Sequence, residues 1–336
     1  MRWMIPLMLV SCTEPTAADA NVDANANADT NANADTNANA DTNTEGDTGA
    51  AVDSGSDSGS SSALDPDGVK MLHPTKAGGL TWRLGTSDPN TAKDFEIEQG
   101  DKATKKTTGS LGYWNLPSHT LSYASGGTGW TSRLHIYASG TTTQLYTWKT
   151  QKGWLATAKD LHDQEFTVYV RPHTILDAPR AQMTLKIRGG KHTDTNPSFG
   201  SCTMMTIGAP TSGGIARFGK ELDHPTYDYV KLTPMVPAQL TDNVWVGLKL
   251  VSYQRAGEAT KVQYRMYVDR APFDASGKPS NTWELFSTYE DVEGKDTGAW
   301  TKLADWGGML TTFRTDGLKD IDFTLLSVRE IVVPAI

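Results

Sequence analysis

The sequence predicts an all-β protein in which two antiparallel sheets pack face to face, preceded by a disordered acidic linker. From about residue 80 onward, short runs rich in Val, Tyr, Trp, Phe and Thr are separated by Gly, Pro, Asp and Asn, which is typical of strands and turns. No stretch sustains a 3.6-residue apolar period over three turns, and strands do not alternate with helices. These observations argue against a doubly wound α/β fold and favour a sandwich or jelly roll.

Charge divides the chain into a linker, residues 13–67, and a domain, residues 68–336. The chain of 336 residues has 31 basic and 39 acidic side chains, and twelve of the acids but no lysine or arginine lie in the linker. The domain is therefore nearly neutral, with its basic residues dispersed among acidic ones. This pattern gives no reason to expect a nucleic-acid partner. The absence of any run of 18 apolar residues argues against a membrane-spanning helix.

The linker contains three consecutive copies of Asn-Ala-Asn-Ala-Asp-Thr, residues 25–42. Such a segment cannot bury enough apolar surface to offset the entropy lost on ordering its backbone, so we expect it to be disordered. A flexible coil of about 54 residues spans about 40 Å. The repeat lacks the glycine turn and the closing glutamate of a calcium loop, which favours a spacer over a calcium site.

The first twelve residues resemble a bacterial lipoprotein signal. Arg2 supplies one positive charge, residues 3–10 form a short apolar core, and Ser11 directly precedes Cys12. The resemblance implies that the preceding segment is removed and that Cys12 is lipidated, so that acyl chains alone hold the protein on a membrane. The expected location is the cell envelope, facing the periplasm or the cell exterior. An ordinary secretory peptide is the alternative.

Eight segments of the domain have the alternation and composition of strands. They are residues 166–171, 183–188, 227–232, 244–253, 262–270, 283–289, 309–314 and 323–331. In residues 261–269 the alternation is regular, and it predicts that Tyr264 lies in the core and Tyr267 on the outer face. Residues 68–150 give a weaker pattern, and either complete the sheets or form an insertion.

Several segments resemble secreted proteins with a concanavalin A-like jelly roll. They are residues 186–197, 217–225, 244–250, 306–316 and 322–330. The resemblance covers roughly residues 154–331, and the family lies near polysaccharide lyases of the alginate- and glucuronan-lyase type. It implies a jelly-roll sandwich, a uronate-type extracellular polysaccharide as partner, and no cofactor.

Eliminative cleavage of a uronate polymer requires a group that neutralises the sugar carboxylate, a base for the adjacent carbon acid, and an acid for the leaving oxygen. In lyases of this fold those roles fall to Arg, Gln or Asn, His and Tyr. The resemblance therefore implies Arg188 as neutraliser, His192 or His224 as base and Tyr267 as acid. Neighbouring polar residues expected to contact sugar are Lys191, Asp194 and Lys220.

The chain departs from the established lyases. Their Arg-Ser-Glu, Gln-x-His and Tyr-x-Lys-x-Gly-x-Tyr strands are not intact here, and residues 309–316 contain no tyrosine. Arg188 and His192 are equally compatible with a turn held by a charged pair with Asp194. A glycoside hydrolase needs two facing carboxylates; Glu221 begins such a pattern, but the residues that follow break it.

A non-catalytic function is the main alternative. Sugar-binding modules present exposed aromatic platforms, for which Trp300 and Trp306 are the candidates because they lie among Gly, Lys and Asp. A structural or adhesive surface lipoprotein without a sugar site stays open as well. Cys202 is expected to be a small buried residue rather than a nucleophile. The histidine spacings predict no metal site, and a monomer is expected.

Overall fold

The computed structural model describes residues 63–122, 128–137, 161–176, 181–190, 201–209, 214–223, 226–238, 240–295 and 301–334. These residues form sixteen β-strands and one short 3-10 turn, Glu98–Gly100, and no α-helix occurs among them. The described part also holds no helix of the length and apolarity that a membrane crossing requires. The prediction of an all-β domain is confirmed.

The strands form two antiparallel eight-stranded sheets. The first sheet consists of β1 (Thr81–Arg83), β3 (Thr104–Thr108), β4 (Leu111–Leu116), β7 (Gln164–Ile175), β12 (Val246–Gln254), β13 (Lys261–Asp269), β14 (Glu284–Val292) and β16 (Leu318–Glu330). The second consists of β2 (Phe95–Ile97), β5 (His119–Ser122), β6 (Thr128–Tyr137), β8 (Gln182–Gly189), β9 (Cys202–Gly208), β10 (Ala216–Asp223), β11 (Thr226–Leu232) and β15 (Leu310–Asp316). The order is β14-β13-β12-β7-β16-β4-β3 in the first, with β1 beside β16, and β11-β10-β9-β8-β15-β6-β2 in the second, with β5 beside β6.

All eight predicted strands are present, with ends displaced by a few residues. Residues 68–150, whose role the sequence left open, supply β1 to β6 and complete both sheets. Strands β9 and β10 were not predicted, and they connect the middle of the second sheet to its edge strand β11.

The core lies between the inner faces of the two sheets. Strand β13 illustrates the arrangement, because Val262, Tyr264 and Met266 are fully buried in the core while Tyr267 is half-buried on the outer face. The Tyr264 ring packs against Phe218 of the opposite sheet with centroids 4.8 Å apart. Burial of one such side chain contributes about 1.5–3 kcal/mol. The predicted division of the two tyrosines between the faces of β13 is confirmed.

An N-terminal strap, residues 63–76, crosses the outer face of the first sheet. The Lys249 ammonium donates a hydrogen bond to the Lys70 carbonyl at 2.8 Å, and the Leu72 amide donates to Glu165 at 3.1 Å. A backbone bridge joins Thr75 to the end of β16. The strap therefore covers charged side chains of β7 and β12 that would otherwise face solvent.

The β13–β14 loop, residues 270–283, covers a neighbouring part of the same face. The Asp269 carboxylate accepts hydrogen bonds from the Thr282 amide and hydroxyl at 3.0 and 2.6 Å, which closes the loop on the sheet. Phe273 of the loop packs against Tyr169 with ring centroids 5.2 Å apart. Two chain segments thus shield this region of the first sheet.

Candidate functional site on the outer face of the second sheet

The outer face of the second sheet carries polar and aromatic side chains on adjacent strands. In β8, Lys186 alternates with core residues, and the register places Thr312 directly opposite it on β15 and Met204 opposite it on β9. Thr312 is in turn opposite His135 of β6. Directly opposed residues share a face, and neighbouring strands lie about 4.8 Å apart. Lys186 and His135 are therefore two strand spacings apart on one face.

A second row runs parallel to the first. Thr184 is opposite Arg314 on one side and Thr206 on the other, Arg314 is opposite Arg133, and Thr206 is opposite Arg217. The Thr184 and Thr206 hydroxyls are 3.1 Å apart. This row places guanidinium groups at both ends of a pair of hydroxyl groups.

Lys186 is the centre of a polar cluster that reaches the edge strand β11. Its ammonium nitrogen is 2.8 Å from Glu221 Oε2 and 3.4 Å from the Tyr227 hydroxyl, and it lies 5.3 Å from the centroid of the Tyr227 ring. The Glu221 side chain is fully buried, whereas the Lys186 side chain is 12% exposed. The pair is therefore accessible from solvent on the lysine side only.

The electrostatics of this cluster keep its members protonated. Burial lowers the pKa of Lys186, but its electrostatic interactions with Cys202, Glu221 and Tyr227 outweigh burial and hold that pKa well above the ordinary lysine value. Burial raises the pKa of Tyr227, and negative charge on Glu221 raises it further. At neutral pH the ammonium and the phenol are both proton donors.

Two arginines on the same face are each paired with a carboxylate. Arg314 donates through Nε and Nη2 to Asp316 Oδ1 at 3.0 and 2.8 Å, and its side chain is 15% exposed. Arg133 is 2.9 Å from Glu98. Burial alone would raise the pKa of Glu98, but the charges of Arg133, His135 and Arg314 lower it to about 2. The Glu98 carboxylate is thus ionised at all but very acidic pH.

His135 is held in place beside these cations. Its Nδ1 is 2.9 Å from the Thr312 hydroxyl, and the side chain is largely buried. Histidine is the side chain that exchanges a proton most readily near neutral pH. This residue therefore supplies a candidate proton acceptor on the same face as Lys186.

An aromatic surface lies at the β11 end of the face. The rings of Tyr227 and Tyr229 are parallel within 2°, with centroids 5.7 Å apart, and Tyr229 is 39% exposed. Gly219 lies beneath Tyr229, and a Cβ at that position would come within 2.8 Å of the tyrosine ring. A glycine within a strand often marks such a close approach. The Arg217 guanidinium lies 5.8 Å from the Tyr229 ring centroid.

Cys202 is buried beside this cluster, as the sequence predicts. Its sulfur is 3.8 Å from Glu221 Oε2, and burial raises the pKa of the thiol to about 12. A thiol with so high a pKa is not a nucleophile at neutral pH. Cys202 therefore packs behind the charged pair.

The prediction for Arg188 is corrected by the structure. The residue lies in a bulge of β8 with a φ of 54°, which turns its side chain from the outer face into the interior. Arg188 is fully buried and donates to the Ser252 hydroxyl at 2.9 Å and the Trp306 carbonyl at 2.8 Å. It binds the protein's own chain and has no access to a sugar carboxylate.

Lys220 and Trp306, both predicted to contact sugar, are also interior residues. The fully buried Lys220 ammonium is 2.7 Å from Asp291 and donates to the Lys302 carbonyl at 2.8 Å. Trp306 is 2% exposed and donates through Nε1 to the Arg188 carbonyl at 2.8 Å. These residues do converge with Arg188, but they anchor residues 301–309 against the core.

Tyr267 lies on the opposite side of the sandwich from Lys186. Its half-buried ring packs near Val251 and Tyr253 on the outer face of the first sheet, so it shares no face with the arginines of the second sheet. Six other predicted site residues lie outside the described residues: Cys12, Lys191, His192, Asp194, His224 and Trp300.

Four residues of the cluster were not predicted as site residues: Lys186, His135, Arg314 and Tyr227. One signal was available, because polar residues alternate with apolar ones in β8 and place Lys186 on the outer face. The other residues are brought together only by strand order, which pairs β15 with both β6 and β8. In the described part of the chain, no group of three or more His, Cys, Asp or Glu side chains is arranged to hold a metal ion.

Solved structures that match the chain include two alginate lyases and the exoplasmic/lumenal domain of VIP36. Alginate lyase Aly36B is 13% identical, with 78% of this chain and 99% of that chain covered and a TM-score of 0.30. Alginate lyase vAL-1 from Chlorella virus is 9% identical, with coverages of 77% and 99% and a TM-score of 0.35. The Ca²⁺-bound exoplasmic/lumenal domain of VIP36 is 11% identical, with coverages of 74% and 90% and a TM-score of 0.34. These likenesses concern the fold alone.

No protein-family model matches the chain, and a search of curated protein sequences finds no match.

Proposed function

We propose that the outer face of the second sheet binds an acidic, uronate-type polysaccharide and cleaves it by β-elimination. The observation that carries the proposal is the cluster in which the Lys186 ammonium contacts the Tyr227 hydroxyl, beside Arg314 and next to the exposed Tyr229 ring. Cations complement the sugar carboxylates, and aromatic rings stack on the apolar faces of pyranoses. The cluster combines both modes of recognition on one face.

The proposed chemistry divides among residues on β8, β11 and β15 of the second sheet. Arg314 and Lys186 neutralise the carboxylate of the bound uronate, which makes the adjacent C–H acidic. Water on the open face accepts the proton released from that carbon, because His135 on β6 lies five strand positions from Tyr227 on β11, and a carbon–carbon double bond forms as the bond to the leaving oxygen breaks. The Tyr227 phenol gives its proton to that oxygen. Its raised pKa suits a donor, because the phenol stays protonated at neutral pH.

The N-terminal segment bears on where in the cell the domain would act. We propose that Cys12 is lipidated and that the acidic linker holds the domain away from the membrane, in contact with polysaccharide of the cell exterior or periplasm. Metabolic labelling with a fatty-acid analogue tests the anchor. The label should be incorporated into the parent and lost in Cys12→Ala, while Cys202→Ala retains it. Labelling of Cys12→Ala would contradict the anchor.

The elimination is tested with a matched pair of tyrosine variants. Each new double bond absorbs ultraviolet light, so absorbance should rise when the parent meets alginate or glucuronan. Tyr227→Phe removes the proposed proton donor and should lower the rate by about 10²–10⁴-fold while retaining binding. Tyr267→Phe, on the other face, should match the parent. Equal loss in both variants, or in neither, would contradict the assignment of Tyr227.

Binding without a change in absorbance would instead favour a non-catalytic sugar-binding lipoprotein. In that case Lys186→Met should weaken binding to the immobilised polymer strongly, and Tyr227→Phe, which keeps the ring, should weaken it only through the lost hydrogen bond. A parent that neither binds nor cleaves uronate polymers would overturn the proposal and leave a structural or adhesive role.

A further inference from the structure

A second polar cluster lies on the outer face of the first sheet, beyond the strap and the β13–β14 loop. At its centre is the Asp322 carboxylate, which is 1% exposed. Asp322 accepts hydrogen bonds from Arg171 Nε at 2.8 Å and Asn115 Nδ2 at 2.9 Å, and its Oδ2 is 3.0 Å from His173 Nε2. One buried carboxylate thus orients three side chains from β4 and β7 toward the surface.

The guanidinium of Arg171 is also fixed by aromatic rings. Its carbon lies 5.1 Å from the centroid of Tyr113 and 5.1 Å from that of Trp245. The two rings meet edge to face, with centroids 5.6 Å apart. Held by two rings and a carboxylate, the guanidinium loses little further entropy on binding a ligand, which is the condition for an effective anion site.

Donor groups of the cluster remain uncommitted. Arg171 uses Nε and Nη2 on Asp322, and its Nη1 makes no hydrogen bond to any described residue. The Nδ1 of His173 likewise makes no hydrogen bond to the described part of the chain. The Arg171 and His173 side chains are 22% and 36% exposed, so a ligand can reach both.

The charge balance of the cluster favours an anion. Asp322 balances the charge of Arg171, and the His173 ring lies beside this pair. On the edge strand β3, the exposed Lys106 is directly opposite Tyr113 and adds a further cation on the same face. An oxyanion bound between Arg171 and His173 would therefore lie close to hydrogen-bond donors and to positive charge. In the described part of the chain, no exposed carboxylate contacts those donors.

We propose that this cluster, formed by Tyr113, Arg171, His173 and Trp245 around Asp322, is a second binding site for the carboxylate group of an acidic polysaccharide. It rests on the proposed function for the choice of ligand. The two sites lie on opposite outer faces of the sandwich, so one polymer chain cannot be bound flat across both. The domain accordingly bridges two polysaccharide chains, and the two sites together give it higher avidity for a polymer network than for an isolated chain.

Binding stoichiometry tests the second site directly. Calorimetry with a short uronate oligosaccharide should give two sites per molecule of the parent chain. Arg171→Gln should reduce this to one, and His173→Ala should weaken the second site without disturbing the core, because that side chain is more exposed. Arg270→Gln is the matched control, since Arg270 is a similarly exposed arginine paired with Glu284 but lacks the aromatic rings. It should retain two sites.

The outcomes separate this inference from the proposed function. In Lys186→Met, one site should remain, and this site should disappear when Arg171→Gln is added. If Lys186→Met alone abolishes all binding, the second site does not exist and the proposed function stands. If Arg171→Gln alone abolishes all binding, the proposed function fails instead. A sulfated oligosaccharide binding as tightly as the uronate at the second site would overturn the assignment of a carboxylate ligand.

Bridging provides an independent measurement. Tyr227→Phe, which retains binding but loses most of the cleavage, should form aggregates that scatter light when mixed with a long uronate polymer, and adding Arg171→Gln should remove that scattering while the chain still binds the polymer. Scattering that is the same for Arg171→Gln and Arg270→Gln would contradict the bridging role.

Discussion

The two outer faces of the sandwich carry similar ion pairs but differ in what lies above them. On the first sheet, Glu165 contacts Lys249 at 2.5 Å and Arg329 at 2.6 Å, and the strap covers all three. On the second sheet, Glu221 contacts Lys186 at 2.8 Å, and the lysine is partly exposed beside an aromatic surface. An ion pair of this kind therefore stabilises the fold where another chain segment covers it. Where the pair is exposed, it can contact a ligand.

The largest effect should come from breaking the covered network. Burial raises the pKa of Glu165, but Lys249 and Arg329 lower it overall, so the buried carboxylate is ionised. Glu165→Gln leaves two buried cations uncompensated and should reduce the free energy of unfolding by about 3–5 kcal/mol, measured by chemical denaturation. The exposed pair formed by Glu284 and Arg270 supplies the control. Glu284→Gln should reduce the free energy of unfolding by at most about 1 kcal/mol. Equal losses in the two variants would contradict the distinction between covered and exposed ion pairs.

A smaller effect on stability is expected at the edge of the outer face of the second sheet, where Glu98 pairs with Arg133. The pKa of Glu98 is lowered from 4.5 to about 2, so its stabilisation is complete above pH 4.5 and is lost as pH falls toward 2. Since each pKa unit corresponds to about 1.4 kcal/mol, Glu98→Gln should lower stability at pH 7 by roughly 3–4 kcal/mol. Unfolding curves of the parent and variant should converge as pH approaches 2. Parallel pH profiles would contradict the lowered pKa.

The smallest effect concerns the aromatic surface itself. A methyl group at Gly219 would displace the Tyr229 ring, so Gly219→Ala should weaken oligosaccharide binding by about 3–10-fold, the equivalent of one aromatic contact. Gly112→Ala is the control, because that strand glycine on the first sheet has open space around it. It should bind as the parent does. Unchanged affinity in Gly219→Ala would exclude Tyr229 as a sugar platform.

The alternation of polar and apolar residues was sufficient to predict the fold. The site could not be predicted in the same way, because it depends on the order of the strands in the sheet. In β13, the alternating pattern placed Tyr264 and Tyr267 on their faces correctly, because a strand with one buried face repeats every two residues. At Arg188 the same reasoning failed, since a left-handed bulge turned the side chain inward. Sequence periodicity does not reveal a bulge of this kind at a residue other than glycine.

The residues of the candidate site are far apart in sequence. The contact between Lys186 and Tyr227 reaches across β9 and β10, which lie between β8 and β11 in the sheet. Neither of these intervening strands was predicted. His135 comes from residues 68–150, where the strand pattern was weak. Side-chain chemistry was therefore readable from the sequence, but the convergence of these groups depended on a strand order that only the structure supplies.

Hydrogen–deuterium exchange with a bound uronate oligosaccharide tests the central claim most directly. We expect slower exchange in β8, β10, β11 and β15 of the second sheet, with no change in the strap or in β12 and β13 of the first. Protection confined to the first sheet, or none in the second, would contradict the assignment of the ligand-binding face.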